Sequence, residues 1–286
     1  MAAAGGAVLN QALKHRGCGQ SFDAAGVRLH YRQEGRGAPV LLLHGLGVQS
    51  DLNWRWPGVV WSLARNFRVI TLDLRGHGLS EKPHGSWAYG AEMVRDAVRL
   101  LDHLGIRKAH VAGYSLGGFI ALKLAATRSD RLLSAAILGA GWEAPGNPAF
   151  DGILERVAAD LEAGRGLGPL NVYLEGGWPP PGRLQDLSLR LMTSWINDGR
   201  ALAGVVRSLP EIMLDETELR RITVPVCGIV GSRDTFRRGA EALTSRLARY
   251  ELTTIEGADH LTALLHQRTR RALRDFLLRA NGKADG

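Results

Sequence analysis

The chain has 286 residues, 45% hydrophobic and 22% charged, a balance that suits a globular protein with a sizeable core and excludes a disordered or fibrous one. Lys and Arg number 36 against 28 Asp and Glu, a formal charge of +8, yet no basic block typical of nucleic-acid binders stands out. No run of 18 apolar residues spans a membrane, and two cysteines so far apart, Cys18 and Cys227, build no disulfide framework. The densest basic cluster, "HQRTRRALRDFLLR" at 266–279, spaces its arginines around Leu273, Phe276 and Leu277 as the wet face of an amphipathic helix does. Neither nucleic acid nor membrane is therefore expected as a partner. The N-terminal "MAAAGGAVLNQALKHRGCGQ" lacks a basic segment ahead of an apolar one, and Cys227 inside "VPVCGIVG" reads as a buried thiol, so a cytoplasmic protein is expected.

In chain order, "SFDAAGVRLHYRQEG" predicts two strands around Ala25 and Gly26, and "PVLLLHG" a buried strand stopped by glycine. Then come a strand in "FRVITLDLRG", an amphipathic helix in "YGAEMVRDAVRLLDHLG", a strand in "KAHVAGYS", a helix in "LGGFIALKLAATRSD" and a strand in "RLLSAAILGAG". Strand and helix taking turns over about 100 residues predict a parallel sheet with helices on both faces. From Trp142 to Leu209 the rhythm changes to helices alone, the first carrying Phe150, Ile153, Leu154, Val157 and Leu161 on one stripe. The alternation resumes with a strand in "TVPVCGIVGSRD", a helix near 238–248, a strand in "YELTTIEG" and a closing helix over 261–279.

Within this frame "GYSLG" places Ser115 where a strand ends and a helix begins. A residue on that turn projects above the carboxyl edge of the sheet, and side chains at Gly113 and Gly117 would collide with the neighbouring strand and helix. A hydroxyl is a poor nucleophile near neutral pH. It needs an imidazole to take its proton and a carboxylate to hold that imidazole. Only His260 and His266 follow the resumed sheet; His260 lies in the loop after the last strand, His266 inside the closing helix. Asp234, at the end of "GIVGSRD", is the candidate acid, with Glu143 after the preceding strand as the alternative; Asp259 would have to fold back on its neighbour. The glycine-flanked loop "HGLG" at 44–47 supplies a backbone N–H at Leu46, which with that of Leu116 is expected to hold an oxyanion, while His44 is expected to hydrogen-bond the loop.

"HGLG" at 44–47, "DLRGHGLS" at 73–80, "GYSLGG" at 113–118, "GSRD" at 231–234 and "DH" at 259–260 together resemble the cap-bearing branch of the α/β-hydrolase superfamily. The resemblance covers residues 20–280 apart from the insertion. It implies an α/β fold with a mostly parallel eight-stranded sheet flanked by helices, and a Ser115, Asp234, His260 triad. It also implies a division into an N-terminal extension (1–20), a core (21–141 and 210–280), a helical cap (142–209) and a C-terminal tail (281–286). The glycines of "DLRGHGLS" read as turn formers.

Haloalkane dehalogenases and cap-bearing epoxide hydrolases of this branch carry aspartate where Ser115 stands, so serine points instead to esterases, lactonases, thioesterases, carbon–carbon hydrolases of ring-cleavage products or cofactor-free haloperoxidases. The expectation is a serine hydrolase of a small apolar carboxylic ester, with no cofactor and no metal. The alternatives are carbon–carbon bond hydrolysis and a non-hydrolytic receptor on the same scaffold. Trp142, Phe150, Tyr173, Trp178 and Trp195 are read as cap core, with a substrate-pocket lining as the other use of these aromatics.

Overall fold

A computed structural model describes residues 19–167, 170 and 198–282. The apolar runs form eight strands: β1 Gln20–Asp23, β2 Arg28–Glu34, β3 Ala38–Leu43, β4 Phe67–Leu72, β5 Ala109–Tyr114, β6 Leu132–Leu138, β7 Val226–Gly231 and β8 Tyr250–Ile255. They make one sheet in the order β1-β2-β4-β3-β5-β6-β7-β8, antiparallel at β1, β2 and β4 and parallel from β4 onward. The helices are α1 Val59–Leu63, α2 Ala91–His103, α3 Leu116–Thr127, α4 Pro148–Glu162, α5 Gly199–Ser208, α6 Glu216–Leu219, α7 Arg237–Ala242 and α8 Gln267–Gly282. This is the α/β-hydrolase architecture expected from the motif order.

Side chains alternate across the strands, so β3 sends Leu41 and Leu43 to one face and Val40 and Leu42 to the other. The first face is covered by α2 and α3 through Met93, Leu100, Phe119 and Ile120, the second by α1 and α8 through Val60, Leu63, Leu273, Phe276 and Leu277. The apolar side of α8 is the one the arginine spacing implies. Helix α4 begins at Pro148 under an Asn147 cap whose side chain accepts from the Ala149 N–H, and it buries Phe150, Leu154, Val157 and Leu161. Asp198 caps α5 in the same way, and Arg207 on α5 pairs with Glu155 and Glu162 of α4. The chain beyond α4 reaches the carboxyl edge of the sheet: a Cβ on Gly47, in the loop after β3, would stand 2.5 Å from Leu167 Cδ1.

Several boundaries differ from the sequence reading. Helix α8 starts at Gln267 rather than 261, because the turn after Asp259 runs only into a short 3-10 segment at Ala263–Leu265 and the backbone is extended at His266, which is exposed ahead of the helix. The helix read at 238–248 stops at Ala242. A π-helical turn, Asp51–Arg55, and α1 occupy a stretch whose pattern predicted neither. Cys227 is buried with a free thiol, and Cys18, Tyr173, Trp178 and Trp195 lie outside the described residues. Among the described residues no helix is long and apolar enough to cross a membrane.

The loop after β4 is pinned by a buried ion pair that the sequence did not announce. Arg75 donates to both carboxylate oxygens of Asp96 on α2, at 2.5 and 2.6 Å, and to the Ala88 carbonyl at 2.6 Å. Burial outweighs the attraction of Arg75 and Arg99 and leaves the Asp96 carboxyl above its ordinary pKa, so the pair costs desolvation that its hydrogen bonds offset. Asp96→Ala, which strands a buried guanidinium, is expected to lose about 3–5 kcal/mol in urea unfolding, and Arg75→Met/Asp96→Leu most of that loss restored. A double variant as weak as the single one would contradict this balance.

Candidate active site

The turn that carries Ser115 is built by exclusion. Ser115 has φ 53° and ψ −116°, a left-handed conformation found at only one other non-glycine residue among those described. A Cβ at Gly113 would lie 1.9 Å from the Gly117 carbonyl oxygen, and one at Gly117 would lie 2.1 Å from the Leu43 carbonyl oxygen. Neither neighbour is a side chain that can swing away, so α3 can descend this close to β3 and β5 only with glycine at both positions. The close descent forces the sharp turn at Ser115, leaving its side chain half-buried above the sheet edge.

Two further loops converge on it. Ser232 N–H donates to the Ile255 carbonyl and Arg233 N–H to the Ala258 carbonyl, at 3.0 and 2.9 Å, lacing the loop after β7 to the loop after β8. That lacing brings Asp234 to His260: Nδ1 stands 3.1 Å from both carboxylate oxygens, and Nε2 stands 3.1 Å from Ser115 Oγ. A carboxylate only accepts, so Nδ1 carries the proton and Nε2 presents its lone pair to the serine hydroxyl. Asp234 and His260 are both buried. Tyr114 and Phe236 flank the imidazole at ring distances of 5.5 and 5.4 Å, and the Tyr114 hydroxyl donates to the His260 carbonyl. Phe236 N–H donates to Asp234 Oδ1 at 3.0 Å, which also fixes the carboxylate.

Of the other sequence candidates, Asp259 spends its carboxylate on Leu261 and Thr262 N–H groups and turns away. Glu143 lies beside Gly239, where a Cβ would come within 3.4 Å of its Oε1; it makes no hydrogen bond to His260, and burial pushes its pKa up. The structure therefore brings together Ser115, His260 and Asp234 and leaves Glu143 apart.

The loop after β3 closes the other side. A Cβ at Gly45 would sit 3.4 Å from Ser115 Cβ, and Gly117 N–H donates to the His44 carbonyl at 3.1 Å. Among the described residues neither the Leu46 nor the Leu116 N–H finds an acceptor; the latter is one of the orphan donors at the start of α3. The direction of the Leu46 N–H is set by two buried side chains. His44 Nδ1 donates to the Gly45 carbonyl at 2.8 Å while Asn53 Oδ1 accepts from the Gly45 N–H at 3.0 Å. Carbonyl and N–H of a trans peptide point opposite ways, so holding the Gly45 carbonyl on His44 turns the Leu46 N–H the other way.

Asn53 was not visible to sequence reasoning, since nothing in its spacing marks it, and neither was the work done by "DLRGHGLS". Asp73 accepts from Ser50 N–H, Leu79 N–H and His30 Nδ1 at 3.0, 3.1 and 3.0 Å, tying that block to the segment carrying Asn53. Gly76 and Gly78 have φ of 82° and 51°, the turn geometry expected of them, and a Cβ at Gly78 would lie 2.5 Å from Asp73 Oδ2. No group of three or more His, Cys, Asp or Glu among the described residues is placed to hold a metal ion.

Residues 38–165 match the family model described as alpha/beta hydrolase fold. A stretch of 138 residues is 36% identical to 2-hydroxymuconate semialdehyde hydrolase of Pseudomonas sp. (strain CF600), covering 47% of this chain and 48% of that one. Another of 121 residues is 36% identical to haloalkane dehalogenase 2 of Mycobacterium tuberculosis (strain ATCC 25618 / H37Rv), covering 42% and 41%. The chain thus spans less than half the length of these curated relatives. A crystal structure of a hydrolase from Pseudomonas aeruginosa PA01 superposes with TM-score 0.75 at 26% identity, over 92% of this chain and 99% of that one.

The buried histidines behind the loop set a pH dependence of stability. Burial, with the charge of His44, pushes the His77 pKa down to about 3, and burial lowers His44 as well. The unfolded chain protonates such a histidine near 6.5, the folded one far lower, so between those values the unfolded state binds the extra proton and stability falls as pH falls. Urea unfolding between pH 4 and 6 is expected to lose up to about 1.4 kcal/mol per pH unit through His77, and His77→Gln to reduce the slope by about one proton. An unchanged slope would place the proton uptake elsewhere.

Proposed function

Because this chain belongs to the α/β-hydrolase superfamily, we propose that it is a serine hydrolase whose substrate is a small carboxylic ester with an apolar acyl or alcohol part. The observation that carries the proposal is the continuous relay from Ser115 Oγ through both nitrogens of His260 to Asp234, each step at 3.1 Å. In this reading His260 Nε2 takes the Ser115 proton as Oγ attacks the ester carbonyl. The Leu46 and Leu116 N–H groups receive the oxyanion, and His260 returns the proton to the departing alcohol. A water then gives its proton to His260 and attacks the acyl-enzyme, releasing the acid and restoring the serine. Asp234 keeps the imidazole in the one tautomer able to do this. The half-exposed hydroxyl and buried relay suit a neutral substrate approaching from the sheet edge.

We read 142–209 as the cap that shapes this approach, supported by the contact of Leu167 with the loop that carries Leu46. Its aromatic candidates Tyr173, Trp178 and Trp195 fall outside the described residues. A cytoplasmic place of action belongs to the same reading. Serine at the turn argues against dehalogenation despite the match to a dehalogenase. The 36% identity to a semialdehyde hydrolase favours one second reading, hydrolysis of a carbon–carbon bond next to a carbonyl by the same serine.

A panel of p-nitrophenyl esters from acetate to palmitate, run beside a coloured ring-cleavage product, separates the two. Esters should turn over with the higher kcat/KM; bleaching of the ring-cleavage product with no ester turnover would favour the second reading. On the active substrate Ser115→Ala is expected to cost about 10⁴-fold or more in kcat, and Asp234→Asn about 10⁴-fold, with Glu143→Gln close to wild type. Activity of Ser115→Ala within tenfold of wild type would sink the proposal, and Glu143→Gln below Asp234→Asn would move the acid to position 143.

A further inference from the structure

The outer face formed by α1, α8 and the turn before α1 is not the ordinary solvated surface that the arginine spacing of α8 suggests. Trp56 and Trp61 are 76% and 59% exposed, with Leu265 and Leu278 at 60% and 42%. Trp61 and Leu278 line one cleft together with Arg65 and Arg274. Arg270 joins the remaining pieces: it donates to the Pro57 carbonyl, next to Trp56, and to the Leu265 carbonyl, at 2.9 and 3.0 Å. Its Cδ and the Trp61 ring both stand 3.9 Å from the Cβ position of Gly58.

The charge on this face is one-sided. Among the described residues Arg65, Arg268, Arg270 and Arg271 have no carboxylate within ion-pair distance, and Arg274 shares the face with one acid, Asp275. The other acids nearby, Asp51 and Glu34, are committed to Arg55. Two indoles with aliphatic neighbours, beside arginines that outnumber the acids of the face, combine apolar anchors with net positive charge. A purely polyanionic partner would leave the tryptophans without a contact, and an uncharged apolar one would leave the arginines desolvated. An anionic bilayer meets both needs, because indoles settle at the headgroup level while arginines face the phosphates.

We propose that this face docks the protein, as a peripheral guest, on membranes rich in anionic lipid. This revises the expectation of no membrane partner. The arginines of α8 are legible in the sequence, but Trp56 and Trp61 lie about 200 positions away and join them only through packing of α1 on α8. The face adjoins the candidate site by two short links: Trp56 follows Asn53 in the same turn, and Leu265 ends the loop that begins at His260. The proposal does not depend on the chemistry assigned to Ser115.

The test uses the full chain and extruded vesicles of phosphatidylcholine, alone or mixed with phosphatidylglycerol, read by sedimentation and by the indole emission shift. Binding is expected to the mixed vesicles only, weakening at high salt as phosphate contacts are screened. Trp56→Ala/Trp61→Ala and, separately, Arg65→Glu/Arg274→Glu should each weaken it by about tenfold or more. Trp87→Ala, at a tryptophan 80% exposed elsewhere, should bind as wild type, and melting curves should show all variants folded. Equal binding to neutral vesicles, no binding to anionic ones, or insensitivity to both double substitutions would overturn the proposal. So would a solution dimer dissolved by the same substitutions, which would make the occupant a second copy, or duplex DNA binding indifferent to the tryptophans.

Discussion

The backbone at Ser115 is the constraint on which the rest depends. A left-handed φ at a non-glycine residue costs about 1–3 kcal/mol and persists only where the surroundings leave no alternative. Here the alternative is removed by two glycines whose missing side chains let α3 come down onto β3 and β5. The strain has a geometric return: the hydroxyl is raised clear of the sheet to the height that His260 reaches from the loop after β8, while the first N–H of α3 is left unpaired at its side. Relaxing the turn would lower the serine and bury that N–H together.

Around the turn the polar groups are arranged in two tiers. The inner tier makes up the relay and the unpaired N–H groups. The outer tier holds the inner one still: His44 and Asn53 on either side of Gly45, Asp73 beneath Ser50, Tyr114 and Phe236 against the imidazole. His44, Asn53, Ser50 and Asp73 of the outer tier are buried, as are Asp234 and His260, so their hydrogen bonds act in a low dielectric and their loss would be expensive. That burial keeps His44 and His77 neutral, which leaves His44 free to donate from Nδ1 and accept the Leu74 N–H on Nε2.

What could be read from the sequence was whatever left a local trace. Apolar runs stopped by glycine marked the strands, and a serine between glycines at a strand-to-helix junction marked the turn. Place relative to the strands then favoured His260, in the loop after the last strand, over His266, and Asp234, directly after an apolar strand, over Glu143 as the alternative. What could not be read depended on tertiary closeness. Asn53 is one polar residue in an unremarkable stretch until the π-helical turn at Asp51–Arg55 swings it under Gly45. Arg75 and Asp96 look like surface charges until the loop after β4 folds against α2. Apolar spacing continues through Leu261 and Leu264 ahead of the closing helix, and Asp259 does cap a turn there, but that turn tightens to 3-10 form at Ala263–Leu265 and the extended backbone of His266 (φ −70°, ψ 137°) separates it from the helix at Gln267.

The central claim is that the turn, the imidazole and the carboxylate act together as an activated nucleophile. A fluorophosphonate addresses this without any assumption about the natural substrate, since it forms a stable adduct only with a serine whose proton is being taken. Intact mass and peptide mapping after brief exposure should show one adduct per chain, located on Ser115, absent in Ser115→Ala and formed far more slowly in His260→Ala. An adduct on another residue, or labelling of His260→Ala at the wild-type rate, would mean that Ser115 is only a strained serine at a tight turn.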